Sequence, residues 1–193
     1  MKTKCICALV ILLACSGVLL AQASKVPQQR TIAETLDSWI ARVETLVVAG
    51  ADAMPVDKFS FAPPTTIGDF AGVRTFAQQV KHLSANNYRM AALIMKEKPT
   101  AEMENETGPD SVRTKAEIME YLKGSFTALH KAVATIDAQN AVQPVPTPSN
   151  WQKTRLSFAV DVVAHDMNHF GQMVEYLRMN GIIPPESRPQ KPE

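Results

Sequence analysis

Cysteine is missing from all but the first 15 residues of this 193-residue chain, where Cys5, Cys7 and Cys15 are found. Disulfides and cysteine nucleophiles are therefore excluded from everything that follows. Past residue 20 no long apolar run occurs, which leaves no candidate for a later membrane span. An excess of one charge is absent too. The 20 Lys and Arg face 19 Asp and Glu, too even a balance for a nucleic-acid-binding surface. Glycine is sparse at 8 residues, and no glycine-rich phosphate loop, Ser-His-Asp arrangement or paired catalytic carboxylate is readable. Sustained β alternation is missing as well.

What is present begins with a leader. Lys2 and Lys4 precede an apolar run over residues 5–20, and Ala21-Gln22-Ala23 follows with small residues at the positions a signal peptidase reads. This order of charge, apolar run and A-x-A site predicts a secretory signal peptide over residues 1–23. Leu12-Leu13-Ala14-Cys15 offers a competing lipoprotein reading, but the apolar run continues past Cys15, so cleavage after Ala23 is preferred. The expected product is an exported, periplasmic or extracellular chain of residues 24–193. At that length a single domain can bury a sizeable core without disulfides.

Four stretches carry helical periodicity. Thr31-x-x-Glu34 reads as a capping box before Ile32, Leu36, Trp39, Ile40, Val43, Leu46 and Val47, with Gly50 as the stop. Thr75-x-x-Gln78 opens the second stretch, with Phe76, Val80, Leu83, Met90 and Ile94 on one face. Thr114-x-x-Glu117 opens the third, with Ile118, Leu122, Phe126, Leu129, Val133 and Ile136. The fourth starts between Ser149 and Thr154 and runs to Asn180-Gly181, with Pro184 and Pro185 beyond. Residues 51–74, apolar at Met54, Phe59, Phe61, Pro63 and Pro64, are expected to pack over one end. Residues 97–113 and 138–150 read as surface loops, and residues 184–193 as an extended tail. The fold class is all-α.

The fourth segment carries two rows. Leu156, Val160, Val163, Met167, Phe170, Val174 and Leu177 form one, read as the core seam. Phe158, Val162, His165, His169, Gln172 and Tyr176 form the other, about 130° away around a helix, with Ala159, Asp166 and Met173 between them. The second row turns polar in its middle, where buried histidines would need hydrogen bonds or a metal.

His165 and His169, four residues apart, project from one helical face and can reach a single ion. The competing reading is two histidines on a solvated face. His82 lies beside Val80 and Leu83 in the second segment and is the natural third ligand from a facing helix. Side chains placed to hold these imidazoles are Asp166, Asn86, Asn87, Asn168, Gln172 and Tyr176. Asp166 either orients a histidine through its free N–H or pairs with an arginine such as Arg74, Arg89 or Arg155. His130 is expected to face solvent. Tyr88 and Tyr176 are candidates for a pocket wall, or simply pack with the hydroxyl wet.

The run from His165 through Asn168, His169 and Gly171 to Gly181-Ile-Ile-Pro-Pro185 resembles the closing helix of the DinB-like metal-binding bundles. Arg74 to Tyr88 resembles their second helix, and Lys115 to Phe126 their third. The resemblance spans nearly all of residues 24–193. It implies an up-down-down-up four-helix bundle in which helices two and four give His82, His165 and His169 to one divalent ion. It also implies kinship with metal-dependent thiol transferases and a thiol-dependent isomerase.

Three imidazoles leave an ion its full charge and an open position, a pattern suited to activating water or a thiol. Zinc fits such ligands best, with nickel, iron and manganese also compatible. The expectation is a metal-dependent hydrolase or thiol/group transferase acting on a small molecule, with no catalytic residue assigned. The alternative is a bundle that binds metal or a small ligand without catalysis. No nucleic-acid partner is expected, and a homodimer is the default for such bundles.

Overall fold

The fold was obtained as a computed structural model that describes residues 29–147 and 153–189. The expected leader, both readings of its cleavage, and the last four residues of the tail lie outside the described residues. The chain divides into two units, Met1–Arg30 and Thr31–Glu193, and everything below concerns the second.

Four long helices build it: α1 (Ile32–Ala53), α2 (Phe76–Met95), α3 (Lys115–Val133) and α4 (Arg155–Met179). Each opens on a threonine N-cap, at Thr31, Thr75, Thr114 and Thr154, closed into a capping box by Glu34, Gln78, Glu117 and Ser157. Such a cap satisfies N–H groups that the helix itself cannot, and contributes about 1 kcal/mol.

Side-chain contacts fix the directions. His130 meets Asp37 while Lys115 meets Asp52, so α1 and α3 run antiparallel. Arg74 meets Tyr176 while Asn86 meets His165, so α2 and α4 are antiparallel as well. Gly50 lies against Phe170 and Lys58 reaches Asn180, which makes α1 and α4 parallel. The result is an up-down-down-up bundle whose neighbours in space are α1–α3, α3–α2, α2–α4 and α4–α1. Phe76, Phe126, Phe158, Ile40, Leu122 and Leu177 are among the side chains filling its core.

Four features differ from the sequence reading. Gly50 does not end α1. A Cβ there would meet Phe170 Cε2 at 3.1 Å, so the glycine marks close helix approach, and the helix continues to Ala53 before Pro55. Trp39 is exposed on the outer face with Arg42 near its ring. The row proposed as the α4 core seam is half outside: Val160 is 56% and Met167 40% exposed. The buried stripe instead runs through Ala159, Val162, Asp166, His169, Met173 and Leu177. Finally, the tail is anchored at its start, with Pro184 buried and a 3-10 turn, Pro185–Ser187, beside α1.

The connections behave as expected at one end. Met54, Phe59 and Pro63 are buried, and Phe59 stacks edge-on against Phe76. Between α2 and α3, a one-turn helix (Ala101–Glu104) packs back on α2. Before α4, β1 (Pro144–Val145) and β2 (Lys153–Thr154) form a two-residue antiparallel ladder.

Candidate metal centre

The rotation of α4 decides what reaches the bundle interior. Centring its buried stripe on Ala159, Asp166 and Met173 turns His165 and His169 toward α2, where His82 faces them. Ring centroids are separated by 4.5 Å for His165–His169, 4.7 Å for His82–His169 and 5.1 Å for His82–His165. One nitrogen from each ring lies within 4.8 Å of the others. The Nε2 atoms of His82 and His165 are 3.2 Å apart. Bonds of about 2.0–2.1 Å to a tetrahedral ion place two nitrogens roughly 3.3 Å apart, so the spacing fits a shared cation.

The opposite nitrogens supply the stronger test. His82 Nδ1 lies 2.7 Å from the carbonyl oxygen of Glu106. His169 Nδ1 lies 2.8 Å from Gln79 Oε1, and Gln79 Nε2 donates to Gln172 Oε1 at 2.7 Å. His165 Nδ1 lies 3.3 Å from Asp166 Oδ1. Each imidazole thus has an oxygen to take its Nδ1–H, which leaves the Nε2 lone pairs for a metal. Two lone pairs at 3.2 Å repel unless a proton or a cation stands between them.

His165 also has the other choice. Asn86 Nδ2 sits 3.2 Å from the same Nδ1, while Asn86 Oδ1 accepts from Arg89 at 3.0 Å. When Asn86 donates, the proton moves to Nε2 and the ligand is lost. When His165 donates to Asp166, Nε2 is free. The tautomer held by Asp166 is therefore the one in which His165 could serve as a ligand.

Burial pulls the His169 imidazole down to about 4, helped by the neighbouring His165 and His82, so it is neutral at pH 7. Burial also lowers His82, against the opposing pull of the Glu106 carbonyl. Asp166 is fully buried, and that desolvation raises its carboxyl to about 6. His165 and the Asn87 side chain counter that rise, although no group comes within ordinary hydrogen-bond geometry of the Asp166 Oδ2 among the described residues.

The Glu106 carbonyl is aimed by its loop. Asn105 accepts from Thr107 N and donates to the Gly108 carbonyl, forming an Asx turn. Gly108 has φ +70, and a Cβ there would meet Lys81 at 3.1 Å. That glycine lets the loop cross α2 directly beside His82.

Of the side chains expected around the imidazoles, Asp166 and Asn86 touch His165, and Gln172 acts one bond away through Gln79. Asn87 is buried with Nδ2 3.4 Å from Ser125 Oγ. Tyr176 donates to the Arg74 carbonyl at 3.0 Å, stabilising the helix pair away from the rings. Asn168 is exposed on the outer face of α4, away from the site. Among the described residues no arginine pairs with Asp166: Arg74 bonds Glu106 and Arg89 bonds Asn86. His130 is not simply solvent-facing, since it bridges Asp37 at 2.6 Å and Glu44 at 3.1 Å. Gln79 and the Glu106 carbonyl were missed. Gln79 carried one signal, a polar residue one turn before His82 on the same helical face.

A cavity of about 880 Å³ opens onto the centre. His82 and His165 form part of its wall, together with residues from α2, the 97–106 loop, the β1–β2 ladder and α4. Neither Tyr88 nor Tyr176 lines it. No helix among the described residues is long and apolar enough to cross a membrane.

Comparison with known proteins agrees with this architecture. A DinB-like protein of Bacillus subtilis, solved by crystallography, superposes with a TM-score of 0.60 at 12% identity, covering 82% of this chain and 96% of that one. At that identity the likeness concerns the fold alone. No curated protein matches the sequence. The family model described as DinB superfamily matches residues 31–173, most of the chain, and the chain belongs to that superfamily.

Proposed function

We infer that this is an exported, metal-dependent enzyme acting on a small organic molecule, as a hydrolase or group transferase. One observation supports the reading above the rest. All three Nδ1 atoms face oxygens, and one nitrogen from each ring lies within 4.8 Å of the others beside a cavity large enough for a small-molecule ligand. His82, His165 and His169 would hold one divalent ion, with zinc preferred for an all-imidazole set and nickel, iron or manganese compatible. When bound, such an ion supplies Lewis acidity and lowers the pKa of water or a thiol.

The chain's own residues do the rest. Gln79, the Glu106 carbonyl and Asp166 hold the imidazoles in one tautomer. Asp166 balances charge from a buried position, and the cavity admits substrate from the His82 and His165 side. Outside the cytosol reduced small thiols are scarce, which favours hydrolysis over thiol transfer.

The test is metal content of the natively purified protein, with turnover of ester, amide and thiol substrates before and after chelation. One ion per chain, lost in His169→Ala, with an activity that chelation abolishes and metal restores, is expected. A stoichiometric ion in a protein inert to every substrate class would favour metal or ligand binding without catalysis. Intact-mass measurement of the exported product should place its N-terminus at Ser24.

A further inference from the structure

The charges lining the cavity cancel, with one exception. Lys153 is held by Asp161 at 3.1 Å, and Glu106 by Arg74 at 3.1 Å. At the mouth, Lys96 and Lys98 balance Glu97 and Glu104, all four exposed. Arg89 remains. It is half-buried in the cavity wall and hydrogen-bonded only to Asn86 Oδ1, with no carboxylate within ion-pairing distance among the described residues. A guanidinium has five N–H donors in a planar fork matched to a carboxylate. Four of them have no hydrogen-bond partner among the described residues, in a cavity whose wall includes the apolar side chains of Met90, Leu93, Met103, Val145 and Phe158.

We propose that Arg89 is the anchor for an anionic group on the substrate, and that the substrate is an amphipathic organic carboxylate. Its apolar body lies on the methionine, leucine and phenylalanine wall, and its reacting group reaches the histidines. Arg89 lies seven residues past His82 on α2, about 10 Å along the helix axis. Its guanidinium reaches back to Asn86, so anchor and reacting group are separated by about that distance or less. The inference rests on the enzymatic reading for the word substrate, but the anion site itself does not depend on the metal.

Calorimetric titration of octanoate, octan-1-ol and octylamine into the zinc-loaded and metal-stripped protein tests this. Octanoate should bind both forms, at least tenfold more tightly than the alcohol, with no binding of the amine. Arg89→Met should weaken octanoate at least tenfold while keeping zinc stoichiometry, and Arg89→Lys should recover part of the loss. Arg89-dependent binding of octanoate to a protein that takes up no zinc when zinc is supplied would sink the metal reading and keep the anion site. Binding seen only with zinc, and unchanged in Arg89→Met, would overturn the anion site and keep the metal. Equal affinity for octanoate and octanol, or no binding of either, would also overturn it.

Discussion

Gln79 Oε1 stands 2.8 Å from His169 Nδ1, a bond between residues 90 positions apart on antiparallel helices. Both groups are buried, so the bond sets the tautomer without competition from water. Replacing Gln79 with leucine keeps the volume and removes the acceptor, leaving a buried N–H unsatisfied or shifting the proton to Nε2. Zinc affinity should fall about 10- to 100-fold, read by competition with a chromophoric chelator. Gln172→Ala frees only the Gln79 amide and should cost less than about tenfold. Equal losses in the two variants would mean that Gln79 acts through packing.

How much of this was legible in the sequence can be argued from the same residues. His165 and His169 announce themselves by spacing, and His82 by its place beside an apolar row. The topology followed from four periodic segments together with the resemblance of three of them to one family. Gln79 was hidden because its partner depends on the register between α2 and α4, and no local pattern records register. The Glu106 carbonyl was hidden for a simpler reason: a backbone oxygen has no side-chain signature. The α4 rotation was misread because counting apolar residues favours the row through Val160 and Met167. A helix has one centre to its buried face, and here the arc between the rows takes it. Small Ala159 allows close approach, while Asp166 and His169 are held by polar partners, so Val160 is left outside.

His130 gives the fold a pH dependence of its own, remote from the histidine cluster. Burial alone would lower its pKa, but hydrogen bonds to Asp37 and Glu44 outweigh burial and raise it above 6.5. A raised folded-state pKa means that the stabilisation is complete below the unfolded value, near 6.5, and is lost as pH climbs through the folded value. Urea unfolding at pH 5.5 and 8.5 should show a drop of about 1 kcal/mol or less across this window, the scale of a partly exposed ion pair. His130→Gln should remove that part of the slope. An unchanged slope in the variant would mean that the bridge from α3 to α1 contributes nothing to it.

Gly50 tests the closeness of α1 and α4. Alanine gains about 1 kcal/mol of helix propensity, but its methyl would meet the buried Phe170 ring at 3.1 Å. The two effects oppose, so Gly50→Ala should lie within about 1 kcal/mol of the parent in chemical denaturation. Gly50→Leu has no such offset and should lose about 1–3 kcal/mol through overpacking. A neutral leucine variant would show that the helices separate freely at this point.

Asp166 sets stability against metal binding. In the metal-stripped protein, burial raises its carboxyl from an ordinary 3.8 to about 6, so the folded chain keeps a proton that the unfolded chain has released. Stability should therefore fall as pH rises from about 4 through about 6, by on the order of 2 kcal/mol, and remain low above. Asparagine has nothing to ionise and still offers Oδ1 to His165. Stripped Asp166→Asn should match the parent near pH 4 and exceed it at pH 8 in urea midpoint. With zinc present the order should reverse. A neutral acceptor supports a charged centre less well than a carboxylate, and the variant should bind zinc about tenfold more weakly. Parallel pH profiles for the two stripped proteins would show that Asp166 is compensated in the fold, leaving no cost for the metal to offset.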